Sequence, residues 1–353
     1  MVIRNVRGKP FVLLVMVVVL SACGGRTGLR GESDARDASN LDDGSVAGDA
    51  GLDATSDSGV PATVVLFGEA NMPAGIAVAG GDVYWADHGD GKIMKCPVAG
   101  CGGAPTVVAS GQGGVFGVAV DSVNVYWTND GDNDVMRCAL TGCNGAPTLV
   151  ASAPQGLNWP FELAVDSANL YWSEGASVVA CAKSGCGGQP TVLAASPNPF
   201  AIATSSTAVF WMNAGTVNAD GTLMTCVSAG CGGSATSLAS GQNDKLDLAA
   251  DETNVYWGNC TDNTLRTCGV GGCNGAPTVL STSPACPGSI ALDDTTVYFT
   301  TGTMVLKCAK SGCNGHPTVL SDSASSPFGL ALDATSVYWT NYVAPWAVMK
   351  TLK

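Results

Sequence analysis

An aromatic pair returning about every forty residues, short β-type segments cut by Gly, Asn and Asp turns, and cysteine pairs keeping the same period predict an all-β chain: a seven-bladed β-propeller of four-stranded blades. The aromatic pair stands at Tyr84-Trp85, Tyr126-Trp127, Tyr171-Trp172, Phe210-Trp211, Tyr256-Trp257, Tyr298-Phe299 and Tyr338-Trp339, at spacings of 42, 45, 39, 46, 42 and 40 residues. One bulky pair per unit, packed between neighbouring sheets, reads as core.

A single unit shows the strands. Gly117-Val118-Ala119-Val120-Asp121 is a small-residue strand suited to the crowded position beside a central channel, and it ends in the polar turn Ser122-Val123-Asn124. Val125-Tyr126-Trp127-Thr128 follows, closed by Asn129-Asp130-Gly131-Asp132. Val135-Met136-Arg137-Cys138 alternates apolar and polar, turns through Thr141-Gly142 and returns as Pro147-Thr148-Leu149-Val150. Four short strands with turn chemistry between them make one up-and-down blade. The seventh unit stops at Val348-Met349-Lys350-Thr351, with no residues left for a fourth strand. A spare copy, Pro61-Ala62-Thr63-Val64-Val65, sits before the first unit. The N-terminal strand should therefore complete the last blade, closing the ring and removing the exposed edges.

Six C-x4-C pairs fall where strand three turns into strand four: Cys96/Cys101, Cys138/Cys143, Cys181/Cys186, Cys226/Cys231, Cys268/Cys273 and Cys308/Cys313. Each pair is expected to face across a hairpin with a four-residue loop. Residues so placed lie about 4.5–5.5 Å apart at Cα, inside the disulfide window. The seventh blade has Thr351 in the first slot and Asp57 in the second, the joint loss expected of disulfides where no loop exists to close. Zinc would want four ligands where each pair offers two. Cys260 and Cys286 lie in loop types that emerge on one propeller face, and are expected to pair.

The N-terminus is a different material. Arg4, Arg7 and Lys9 precede the apolar run Phe11 to Leu20, followed by Ser21-Ala22-Cys23. That is the layout of an export signal; ten apolar residues span only about 15 Å as a helix, half a bilayer core. Leu20-Ser21-Ala22-Cys23 resembles a bacterial lipobox, and the resemblance implies cleavage after residue 22 and a lipid on Cys23. Setting Cys23 aside leaves fourteen of the fifteen cysteines for disulfides in an oxidising compartment. Residues 24–60 carry eight acids, three arginines and no aromatic residue, the composition of a disordered tether. The expected organisation is a signal over 1–22, lipidated Cys23 with its tether over 23–60, and the propeller over 61–353. The charge divides as +3, −5 and −11 over 1–22, 24–60 and 61–353. An acidic folded part repels phosphate backbones and anionic head groups, which argues against nucleic acid and leaves the lipid as the only membrane attachment. Gly24 stands where an Asp would imply inner-membrane retention in lipoproteins of this type, so the outer membrane is favoured.

The units resemble the YWTD repeats of the low-density lipoprotein receptor class B type. The closest stretches are Phe328-Gly329-Leu330-Ala331-Leu332-Asp333 with Val337-Tyr338-Trp339-Thr340-Asn341, and Val125-Tyr126-Trp127-Thr128-Asn129. The resemblance covers nearly all of 61–353 and implies a propeller that binds proteins without catalysis. Three features depart from that family: seven repeats rather than six, the motif's final Asp kept only as Asp87, and the cysteine hairpins.

Catalytic residues are scarce. His88 and His316 are the only histidines, and His316 fills a hairpin slot that is Ala104, Ala146 or Ala276 in other blades. No Ser/His/Asp or Cys/His grouping can be assembled with the cysteines paired. The remaining polar signal lies on the face of the strand two-to-three loops and the inter-blade connections, in turns containing Asp87, His88, Asp130 and Asp132. Such turns are ordinary solvated chemistry, with calcium the one cofactor they could hold. The same face carries Phe116, Trp159, Phe161, Phe200, Phe328, Tyr342 and Trp346, and an aromatic-rich propeller mouth is where ligands sit. Two functions follow: a membrane-anchored, non-catalytic binding or scaffolding propeller for a protein or glycan, or a metal-assisted hydrolase or lyase of the propeller lactonase type. An inward-facing ring of Glu, Asp and Asn would favour the enzyme, and an uncharged channel with exposed aromatics the binder.

Overall fold

A computed structural model of the chain describes residues 60–152, 159–215, 220–232, 235–242 and 247–353. The described residues form 28 strands and no helix, arranged as seven four-stranded antiparallel sheets. The signal, Cys23, the tether and Asp57 lie outside the described residues.

Blade one runs from channel to rim through Pro73–Ala79, Asp82–Asp87, Lys92–Pro97 and Thr106–Ala109. The first strands of successive blades touch one another all the way round, and Pro327–Leu332 of blade seven closes onto Pro73–Ala79. Blade seven takes Val64–Phe67 as its outer strand, antiparallel to Ala347–Leu352, with Val64 opposite Lys350 and Phe67 opposite Val348. The N-terminal strand thus locks the ring.

The Tyr-Trp pair explains how blades adhere. Adjacent residues of a strand project from opposite faces of the sheet. The Tyr of each blade therefore faces the following blade, where it meets that blade's Trp: Tyr84 with Trp127, Tyr126 with Trp172, Tyr171 with Trp211. The series continues through Phe210 with Trp257, Tyr256 with Phe299 and Tyr298 with Trp339, and ends with Tyr338 against Trp85. All six tryptophans of the pairs are at most 2% exposed.

Polar bonds follow the same period. Tyr126, Tyr171, Tyr256, Tyr298 and Tyr338 donate to Asp121, Asp166, Asp251, Asp293 and Asp333, the carboxylate that ends each first strand. Where blade four has Phe210 in place of Tyr, Ser205 replaces the Asp. Lys183, Lys310 and Lys353 reach back from the following blade to Asp121, Asp251 and Asp293.

All seven cysteine links form as expected. The six local links are Cys96–Cys101, Cys138–Cys143, Cys181–Cys186, Cys226–Cys231, Cys268–Cys273 and Cys308–Cys313, with Cα–Cα distances of 5.1–5.5 Å. The seventh, Cys260–Cys286, has 4.5 Å. The ladder-type facing expected of the two cysteines needs correction, however. The first cysteine of each local pair is on the third strand, but Cys101, Cys143, Cys186, Cys231, Cys273 and Cys313 all lie in the connection ahead of the fourth strand. Ladder pairing ends one residue before the first cysteine, at Lys95 with Thr106, Arg137 with Thr148, Ala180 with Thr191, Thr225 with Thr236, Thr267 with Thr278 and Lys307 with Thr318.

The physical reason is the glycine directly before each second cysteine. Gly100, Gly142, Gly185, Gly230, Gly272 and Gly312 all have φ between 99° and 119°, open to glycine and closed to most other residues. Each closes a turn onto the residue after the first cysteine, as in Gly100 N to Pro97 O, and the disulfide clamps that turn. A second turn follows from Cys101, Cys143, Cys186, Cys273 and Cys313, whose carbonyls accept from the N–H three residues on. The links therefore staple a double-turn loop rather than two facing strands. In blade seven Thr351 occupies the first slot, and its hydroxyl bonds Ala62 O.

Candidate functional site at the channel mouth

The second residue of the first strand stands at the channel mouth, and in four blades it is Phe: Phe116, Phe161, Phe200 and Phe328. At this slot the backbone is held from the neighbouring blade in three cases. Thr128 donates to Phe161 O at 2.7 Å, Ser173 to Phe200 O at 2.6 Å, and Thr340 to Ala74 O at 2.8 Å. Glycine lets the strands approach: a Cβ on Gly117 would meet Phe161 O at 2.5 Å, and one on Gly75 would meet Phe116 O at 2.5 Å.

The rings form one continuous chain. Phe200 packs on Phe161, Phe161 on Phe116, Phe116 on Phe328 and Phe328 on Tyr342, with centroids 5.2–5.5 Å apart. His88 stands edge-on to Phe116 at 6.1 Å, its Nδ1 held by Val115 O at 2.9 Å. These are the geometries aromatic quadrupoles favour. Asp130 joins this group: burial raises its carboxyl, and the neighbouring His88 only partly offsets the rise. Burial, and then the Asp130 charge, raise the Tyr342 hydroxyl above the usual phenol range.

The sequence-selected residues are therefore largely brought together, with three qualifications. Asp87 corrects the surface role expected of it. It is 3% exposed, its Oδ1 accepts from Asn71 N at 3.0 Å, and burial pushes its carboxyl up to about 6 against the pull of that N–H. It caps a turn. Asp132 remains exposed while accepting from Gly113 N at 2.7 Å. Trp159 and Trp346 stand outside the ring chain, 60% and 39% exposed. Trp159 has φ 52°, in a slot that repeats before first strands as Met72, Gly114, Asn198 and Ser326, all at positive φ. Placing an exposed Trp where the backbone suits Gly or Asn costs stability without burying the ring. His316 is exposed on the hairpin face.

Two functional candidates were missed. One residue further along the first strand, the slot filled by Gly75, Gly117 and Gly329 holds Glu162 in blade three and Asp247 in blade five. Both line an internal channel cavity of about 150 Å3, together with Ile76, Val118, Leu163, Ile202 and Phe328. Asp247 accepts from Leu248 N at 2.8 Å and from Ile290 N of the next blade at 3.1 Å. Glu162 makes no hydrogen bond among the described residues. Burial raises both carboxyls. The Asp247 charge adds to the rise in Glu162, whereas the two N–H groups moderate it in Asp247, so Glu162 is the more firmly protonated. The channel is therefore neither uncharged nor ringed by acids.

No known family's pattern matches the chain, and no curated protein matches its sequence. Solved structures do match in shape. A virginiamycin B lyase from Staphylococcus aureus superposes at TM-score 0.64 and 15% identity, over 83% of this chain and 98% of the other. A gluconolactonase from Xanthomonas campestris gives 0.54 and 14%, over 83% and 90%. A nidogen/laminin complex gives 0.50 and 18%, over 69% and 95%. At such identities the likeness shows the fold alone: this chain is a seven-bladed β-propeller.

Proposed function

We propose that the chain is an exported lipoprotein, anchored through Cys23 and spaced from the outer membrane by residues 24–60, whose propeller binds a protein or glycan at the channel mouth without catalysis. The observation that carries this reading is the unbroken chain of rings from Phe200 to Tyr342, flanked on the same face by exposed Trp159 and Trp346. Varied loops on a rigid scaffold are where binding residues concentrate. Seven disulfides support an oxidising compartment, and among the described residues no helix is long and apolar enough to cross a membrane. The test is to screen the purified chain against a glycan array and cross-linked envelope proteins. Bound species should be lost on Trp159→Ala or Trp346→Ala at unchanged melting temperature and kept on His316→Ala; the reverse pattern defeats the reading.

A second reading, a hydrolase or lyase working in the channel with a metal's help, is favoured by the carboxyl pair. Two neighbouring acids, one held protonated more firmly than the other, are what proton transfer requires. Calcium takes roughly six to eight oxygens, and the described channel side chains offer the two carboxylates and the Ser289 hydroxyl. Turnover across a panel of lactones, abolished by Glu162→Gln, would select this reading.

A further inference from the structure

The channel below the mouth is the least expected feature of the molecule. Five of its lining side chains are aliphatic: Ile76, Val118, Leu163, Ile202 and Leu330. Between those side chains the fold places two acids, at a slot where three other blades have Gly. Asp247 has a structural duty, since its two oxygens bridge Leu248 N and Ile290 N. Glu162 has none among the described residues: its half-buried carboxyl faces the channel with only water or a ligand to complete it. Among the described residues no cation supplies that partner: the lining contains no Lys, Arg or His. Phe328 belongs both to the cavity wall and to the ring chain of the mouth, so the cavity lies directly beneath that ring chain.

We propose that the channel is a binding site for a primary alkylammonium group, its nitrogen between the carboxyl groups of Glu162 and Asp247 and its methylenes against Ile76, Leu163 and Ile202. The size fits. A cavity of about 150 Å3 has room for a molecule of benzene's bulk, and a butylammonium ion is of similar bulk. The lining fits as well, because a divalent ion would want an oxygen-rich cage, whereas a short hydrocarbon stem ending in one charge wants aliphatic walls and an acidic end. Entry past Phe116 and Phe328 suits a cation, which aromatic faces attract. The same group comes either as a free amine or as the lysine side chain of a bound partner. The site deepens the binding reading and rests on the mouth as its entrance.

The test is to titrate the purified chain at pH 7 with n-butylamine hydrochloride by calorimetry, and to record saturation transfer from the protein's Ile, Leu and Val methyls to the ligand. Millimolar binding with transfer to the methylenes is expected. Glu162→Gln and Asp247→Asn should each weaken it at least tenfold, and 1-butanol should bind at least tenfold more weakly than the amine. A blocked Gly-Lys-Gly tripeptide binding more tightly than butylamine identifies a partner's lysine as the source; weaker binding identifies a free amine. Absence of methyl transfer in the unaltered chain, binding indifferent to both substitutions, or Ca2+ binding with no amine binding each overturns the site. The methyl experiment needs no variant, so a misfolded variant leaves the question decided. Trp159→Ala and Trp346→Ala should leave butylamine binding unchanged, so failure of the channel site and failure of the mouth reading give different results.

Discussion

Phe67→Ala tests ring closure, because Phe67 belongs to the strand farthest in sequence from the blade it completes. Its side chain is 9% exposed, its ring lies 5.7 Å from that of Trp85, and it shares a cluster with Tyr338 and Val348. Core Phe→Ala substitutions cost about 3–5 kcal/mol. A rim position with one ring partner belongs at the lower end, about 3 kcal/mol, or a fall in melting temperature of roughly 5 °C for a domain of this size. Val65 is the internal control: it sits on the same strand but is 55% exposed, so Val65→Ala should stay within about 0.5 kcal/mol. The assay is thermal unfolding by circular dichroism at one scan rate, with disulfides intact. Deleting 61–68 should destabilise at least as much as Phe67→Ala, and deleting 24–60 should leave the transition unmoved. Equal shifts for Phe67→Ala and Val65→Ala, or for the two deletions, would mean that Val64–Phe67 does not complete the last blade.

Alkylation of the denatured, unreduced protein should find no free thiol among the fourteen propeller cysteines, and peptide mapping should return six local links plus Cys260–Cys286; a free Cys260 thiol would break the assignment. Tyr126→Phe should cost about 1 kcal/mol through the lost bond to Asp121, whereas Phe210→Tyr should gain nothing because Ser205 replaces the Asp there; chemical denaturation compares the two. Partial burial pushes the Asp121 and Asp293 carboxyls up, but Lys183, Lys353, tyrosine hydroxyls and backbone N–H groups outweigh it and hold both at about 2. A carboxyl lowered on folding stabilises fully above its unfolded value near 4 and loses that contribution as pH falls through about 2. Urea midpoints should therefore drop between pH 4 and pH 2, and Asp121→Asn should flatten that drop; an unchanged slope would remove the ion pair from the account.

What was legible in the sequence was the repeated part. The Tyr-Trp period, the missing fourth strand after Thr351 and its spare copy near Val64 together define the ring, because closure leaves one place for each. The cysteine pairs were legible as pairs, but the position of the second member was not. Spacing does not report register, and the glycine ahead of Cys101, Cys143, Cys186, Cys231, Cys273 and Cys313 was the unused signal for an extra turn. Asp87 read as a surface acid because its neighbours are turn residues; its burial follows from the Asn71 turn folding over it, a contact sixteen residues away. Glu162 and Asp247 were missed because each lies in a short stretch that reads as an ordinary strand start. Aligning the first strands position by position would have found them, as acids in a slot that is Gly in three blades and Ala201 or Ser289 in two others.

The central claim is that function resides at the channel mouth. The most direct measurement is a selection of peptides displayed at random against the immobilised chain, each binder then tested on Phe328→Ala, Trp159→Ala, Trp346→Ala and His316→Ala. Most selected peptides should lose affinity at least tenfold on one or more of the three mouth variants and keep it on His316→Ala. Peptides that bind all three mouth variants unchanged and fail on His316→Ala would place the recognition surface on the disulfide hairpins and contradict the account.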